Sequence, residues 1–234
     1  DWGFQVIRHV QHSGYQQTWT PARQGAASFI AQAGRLVGLR DLEHGVDITL
    51  NPELTSSING TAAPSGAWRY DNTPRVGGNL RIGLGSNFVL NGAVRPDFSQ
   101  VEADALQVAA DPRFALFYPE RRPFFVEGSD QFNVPNTLVY TRRIVQPDAA
   151  LKLTGRLGRA NIAVLSAIEE PTAATGDTRP VASIVRLTRD FAEQSQTGVL
   201  YSERVGGGRM NRVVGADMRH VFGGMYFAQF QLAN

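Results

Sequence analysis

Between residues 79 and 95, and again from 151 to 232, apolar side chains recur at every second position. Leu80, Ile82 and Leu84 alternate with Asn79, Arg81 and Gly83, and after Gly85-Ser86-Asn87 the residues Phe88, Leu90 and Val94 return with Asn91 and Arg95 on the other parity. A period of two belongs to a pleated strand, whose successive side chains point to opposite faces. Leu151, Leu153 and Leu157 then oppose Lys152, Thr154 and Arg156, Gly158 to Asn161 turns, and Ile162 to Ile168 returns. Val181 to Thr188 pairs with Gln196 to Glu203, and Gly206-Gly207-Gly208 forms a turn tip. In the last pair Val214, Ala216, Met218 and Phe222 oppose Gly215, Asp217 and Arg219. Past Gly223-Gly224, Tyr226, Ala228, Phe230 and Leu232 oppose Gln229 and Gln231. The chain is expected to be all-β, built from antiparallel hairpins.

The flanking regions are less regular. Val46, Ile48, Leu50 and Leu54 share one parity and predict another amphipathic strand, while Asn59 to Asn72, with Gly60, Pro64 and Gly66, reads as a loop. Trp2, Phe4 and Val6 predict one strand over residues 1–10, and Tyr15 to Thr20 a second extended piece. Trp2, Tyr15 and Trp19 are candidates for an interfacial aromatic girdle or for scattered core aromatics. Ala26 to Leu39 carries no clear period.

Two architectures share this pattern. An up-and-down barrel in a lipid membrane turns its apolar parity outward, and a soluble β-sandwich turns it inward. Short turns that alternate with longer Gly-rich loops, and aromatic residues near strand ends, favour the barrel. No apolar run approaches the roughly 18 residues of a membrane-spanning helix. Cysteine is absent, which excludes thiolate chemistry, and a net charge of +2 gives no field for nucleic acid. Among the 23 basic residues Lys152 is the only lysine. The arginines suit carboxylate, phosphate or sugar contacts, and also fit a GC-rich coding bias.

The irregular stretch over residues 96–128 breaks the pattern. It gathers carboxylates, arginines, phenylalanines and prolines, and Pro119 and Pro123 argue against a central strand because proline lacks the ladder N–H. Asp97, Gln100, Glu102 and Asp104, with Glu120, Arg121, Arg122 and Glu127, form the candidate binding or structural cluster. If the first part is extended, Glu102 and Asp104 lie about 7 Å apart on one face. That spacing permits a hard-cation site such as calcium, an acid/base pair, or carboxylates braced by arginine. His9, His12, His44 and His220 have no zinc-ligand spacing, no phosphate loop precedes a helix, and no Ser/His/Asp arrangement is readable. No catalytic residue and no metal ligand is assigned, and no cofactor beyond that cation is expected.

The blocks Asp97 to Asp104, Phe117 to Gly128 and Tyr140 to Ile144 resemble those of a family of uncharacterised bacterial proteins. In that family an N-terminal domain similar to family 9 carbohydrate-binding modules precedes a domain thought to be an outer-membrane β-barrel. Trp2 to Trp19 and Leu151 to Gly155 are also similar. The resemblance implies a bacterial outer membrane, a lipid bilayer as partner, and a link to glycan or another small solute. It implies no catalytic residues.

The expectation is one domain over residues 1–234, an antiparallel transmembrane barrel segment of roughly ten to twelve strands, as part of a longer barrel. Residues 96–128 fold into the lumen or across its rim, and Arg81, Arg95, Lys152, Arg156, Asp217 and Arg219 line the interior. The task is that of a pore, receptor or anchor. The rival expectations are a carbohydrate-active hydrolase with a carboxylate pair and a soluble β-sandwich binding module.

Overall fold

The computed structural model describes residues 2–22, 32–38, 45–64, 66–96, 119–171, 175–192 and 194–234. Over these residues the protein is all-β with antiparallel sheets. Two small sheets lie near the start: β1 (Trp2–Phe4) pairs with β4 (Gly34–Leu36), and β2 (Ile7–Val10) with β3 (Tyr15–Thr18). The single strand expected over residues 1–10 is thus split. At the break the Gln5 side chain takes the place of a ladder, accepting from the Thr20 N–H at 2.9 Å and donating to the Thr20 carbonyl at 3.2 Å. Tyr15 and Trp19 belong to this region, with Trp19 edge-on to Phe4 at 5.7 Å, and lie outside the large sheet.

The large sheet is a meander of nine strands. These are β5 (Asp47–Ala62), β6 (Trp68–Leu84), β7 (Phe88–Val94), β8 (Pro147–Leu157), β9 (Ala160–Glu169), β10 (Val181–Ala192), β11 (Ser195–Gly206), β12 (Arg209–Phe222) and β13 (Tyr226–Ala233). Each strand pairs antiparallel with its neighbour in sequence, from β5 at one edge to β13 at the other. The two edges do not pair with each other, so the sheet is open.

The loop expected over Asn59 to Asn72 is instead the far half of the β5–β6 hairpin. Asn59 pairs with Asp71, Gly60 with Tyr70, Thr61 with Arg69 and Ala62 with Trp68, and just beyond them the Ala63 N–H donates to the Ala67 carbonyl. Polar and Gly-containing sequence misleads here because cross-strand packing supplies what propensity lacks. A side chain at Gly60 would meet the Trp68 and Tyr70 rings at 3.1 Å, so the glycine lets the stacked pair lie across the hairpin. Pro74 is tolerated because β7 pairs with β6 only from Gly78 onward, which leaves no ladder on that side.

Register places the two parities on two different faces. Ile48, Ile82, Leu90 and Leu153 fall in one cross-strand row, and Ala216 with Leu232 and Met218 with Phe230 form two cross-strand pairs of the same parity. This apolar face is uncovered: Leu54 and Leu232 are 78 % exposed, Leu50 67 % and Phe230 63 %. A row of ring contacts, Phe191 stacked on His220, His220 tilted against Phe222, and Phe222 stacked on Tyr226, follows the short turns at one end, with centroids 5.6 to 6.1 Å apart.

The opposite face carries the core. The connection from β7 to β8 lies against it over residues 119–146, as helix α1 (Pro123–Val126) and 3-10 turns at Ser129–Phe132 and Thr141–Arg143. Phe124, Phe125, Phe132 and Ile144 of this strap pack with Ala93, Ala150, Ala163, Leu165, Ala182, Ile184 and Leu200 of the sheet. Small residues beneath and rings above seal the contact, and dispersion and burial of apolar area stabilise it.

Candidate functional site

The strap begins where Pro119 and Pro123 prevent a strand, and a short helix forms because Pro123 stands in its first turn, where a missing N–H costs nothing. Arg122 and Glu120 are its anchor. Arg122 donates Nε to Glu120 Oε1 at 2.8 Å and Nη2 to Oε2 at 2.7 Å. Its other donors reach the carbonyls of Ile144 at 2.5 Å, Val145 at 3.3 Å and Thr141 at 2.9 Å, and its guanidinium lies 4.1 Å above the Phe125 ring. Thr141 adds an O–H bond to Glu120 at 2.6 Å. The ends of the strap are thereby tied together by one buried cation. Burial pushes the Glu120 carboxyl up, but the Arg122 and Thr141 hydrogen bonds and the Arg122 charge outweigh it and hold it below the usual carboxylate range.

Lys152 of β8 is 1 % exposed beneath the helix. Its ammonium donates to the carbonyls of Phe124 and Glu127, which the end of α1 leaves without intrahelical partners. The Glu127 carboxylate turns the other way and accepts from Arg81 Nε of β6 at 2.6 Å; Arg81 also reaches Asp47 of β5 at 3.2 Å.

At its far end the strap reaches β12 and β13. Leu138 lies over Gly215, and the Gln231 amide accepts from the Asn136 N–H at 2.5 Å while donating to the Asn136 carbonyl at 3.1 Å. Along a flat sheet the seven intervals from β6 to β13 would measure about 34 Å. The backbone from Glu127 to Asn136, with a 3-10 turn inside it, reaches only about 25 Å. Strand side chains project mainly out of the sheet, so both contacts require the sheet to bend over the strap.

Two further charge pairs sit on this inner face. Arg186, 2 % exposed, makes a bidentate pair with Asp217 at 2.5 and 2.8 Å, and Gly198 opens the space: a side chain there would stand 2.6 to 2.7 Å from the guanidinium. Arg204 holds the buried Glu169 at 2.9 and 3.0 Å. At the end of the sheet with the longer connections, Arg75 pairs with Glu170 at 3.1 Å, while Arg95, at 3.5 Å, and Arg179 share Asp148. Between the strap and strands β10 to β12 lies a cavity of about 410 Å³.

Of the expected cluster, Glu120, Arg122 and Glu127 are brought onto one strap, and Arg121 is exposed beside them. Asp97, Gln100, Glu102 and Asp104 lie outside the described residues, as does the spacing expected for them. Arg122 is occupied by Glu120 and three carbonyls, and Glu127 by Arg81 of the sheet. Among the lining residues expected to set a field for solutes, Lys152 faces inward but is covered by the strap, and Asp217 is committed to Arg186. The pairs Arg186–Asp217 and Glu169–Arg204 were not predicted; the one signal for the first is a glycine, Gly198, on the polar parity of a strand. No group of three His, Cys, Asp or Glu able to hold a metal occurs among the described residues.

Residues 49–152 match the model of a family described as a domain of unknown function, DUF5916. The span runs from β5 into β8 and takes in the blocks at 97–104, 117–128 and 140–144. It covers less than half of the chain. No curated protein and no solved structure matches.

Proposed function

We propose that the nine-stranded sheet is part of the wall of a β-barrel in a bacterial outer membrane, with its apolar face in lipid and the strap of residues 119–146 occluding the interior. The observation that carries this is the uncovered apolar face itself. It runs across all nine strands, whereas soluble monomers rarely expose apolar patches beyond a few hundred Å². Ile82, Leu153 and Phe230 share that face, and no second sheet packs upon it among the described residues. Strands β8 to β12 are 10 to 14 residues long, about 33 to 46 Å, which at a 35–45° tilt spans a hydrocarbon layer. The stacked rings at the turn end suit a membrane interface. No helix among the described residues is long and apolar enough to cross a membrane.

The role that follows is a gated passage or receptor for small polar solutes. The inner face carries polar residues such as Asn91, Lys152, Thr154 and Arg186 around an apolar centre of Ala150, Leu165 and Ile184, and the strap covers that centre with phenylalanines and a buried ion pair. Transport then needs the strap to shift, or the interior serves as a binding site. The carboxylates of a hydrolase would stand unpaired in a cleft, whereas Glu120 and Glu127 are each held by arginine. In lipid the open edges of β5 and β13 would need partner strands, because unpaired backbone in hydrocarbon costs several kcal/mol per group.

These 234 residues hold no cysteine, so each introduced thiol is the one they carry. Single cysteines placed at Val164, Leu153 and Phe230 of the full-length protein in vesicles should react with a lipid-soluble maleimide and resist a water-soluble one. Cysteine in place of Arg156, on the other parity, should show the reverse. Equal water-soluble labelling of both sets, with the protein extracted by buffer alone, would overturn the reading.

A further inference from the structure

The cavity between the strap and β10 to β12 is a place to look for a ligand, since its 410 Å³ falls within the range of small-molecule sites. Its wall is mixed. Ile184 and Val213 provide an apolar floor, and the Ser202 hydroxyl and the Asn211 amide provide donors and acceptors beside it. The charges around it are unequal. Arg204 is neutralised by Glu169, and Glu203 by Arg212 at 2.6 Å on the neighbouring strand. Arg143 also lines the cavity, from the end of the second 3-10 turn, and has no partner among the described residues.

A partly open cleft with one guanidinium that no described carboxylate pairs attracts an anion, and the guanidinium fork matches a carboxylate in two-point contact. Neutral hydrogen-bonding groups next to it match hydroxyls. We infer that this cavity is a binding site for a small hydroxylated carboxylate, with Arg143 as the partner of the carboxylate and Ser202 and Asn211 as partners of the hydroxyls. Such a ligand would touch the strap through Arg143 and the wall through Ser202 and Asn211, so that binding ties the two together. The inference deepens the reading of the interior as a solute site, but the cavity lies between strap and sheet whether or not the outer face meets lipid.

The experiment is calorimetric titration of the full-length protein in detergent with D-glucuronate and, separately, D-glucose. These share a ring and hydroxyls and differ in the carboxylate. Glucuronate should bind at least about tenfold more tightly than glucose, the size of one charge-assisted contact. Arg143→Gln, at an exposed position, should bring glucuronate down to the level of glucose without altering thermal unfolding. Ala182→Phe, which fills the cavity, should remove binding of both. Glucuronate no tighter than glucose, or glucuronate binding unchanged by Arg143→Gln, would sink the inference. The cysteine labelling above is a separate readout, so either claim can fail alone.

Discussion

Arg122 and Glu120, two residues apart, form a two-point ion pair at 2.8 and 2.7 Å whose cation also collects three backbone carbonyls from the other end of the strap. A loop of 119–146 is thereby closed on itself before it touches the sheet. Removing the cation strips a largely buried carboxylate of its counter-charge and the Ile144 and Val145 carbonyls of their side-chain donor, a loss of about 3 to 5 kcal/mol. Arg122→Ala should therefore release the strap: proteolysis within residues 119–146 becomes fast while the sheet stays resistant. Equal resistance of the strap in wild type and variant would refute this role.

The same pair makes the strap sensitive to acid. Glu120 titrates below the usual carboxylate value, so its contribution is fully present above about pH 4.3, the ordinary glutamate value, and is lost as pH falls through the lowered one. Thermal unfolding of wild type and Glu120→Gln should differ at pH 7, and the gap should narrow as the pH is lowered below about 4.3. A constant gap across that range would show that the carboxylate's charge is not what matters.

Lys152 is predicted to be chemically silent. Its amine is buried and bonded to the carbonyls of Phe124 and Glu127, so acylating reagents should modify it only after the strap opens. Mass spectrometry of its peptide should show slow acetylation in wild type and rapid acetylation in Arg122→Ala. Lys152→Met, which leaves two buried carbonyls unsatisfied, should cost about 2 to 4 kcal/mol in unfolding.

Gly198 and Asp217 are predicted to act on one cation. Gly198→Ala pushes a methyl group to within 2.7 Å of the Arg186 guanidinium, and Asp217→Ala removes its counter-charge. Each should destabilise, by about 1 to 3 kcal/mol for the overpacked site and about 3 to 5 for the stranded cation. The double variant should fall well short of the sum, because both act through Arg186. Strict additivity in unfolding measurements would separate the two.

Alternation alone made the strands legible. Leu80 to Leu84, Leu151 to Leu157 and Tyr226 to Leu232 show which residues share a face, because side-chain direction in a strand depends only on parity. It failed where neighbours decide: Asn59 to Asn72 forms a hairpin through cross-strand packing of Trp68 and Tyr70 over Gly60, and residues 1–10 break at Gln5 where a side chain replaces the ladder.

The charged cluster was legible as composition and not as pairing. Prolines at 119 and 123 marked a segment that leaves the sheet, since a missing N–H is a local property. Which carboxylate meets which arginine is set by distance in space. Glu127 finds Arg81 across 46 residues because the strap lies over the sheet, and Arg186 finds Asp217 two strands away because Gly198 leaves the space between them. Chain order determined the strands and their two faces; tertiary structure decided that one face is left bare and the other is filled, because burial and pairing depend on what arrives from elsewhere in the chain.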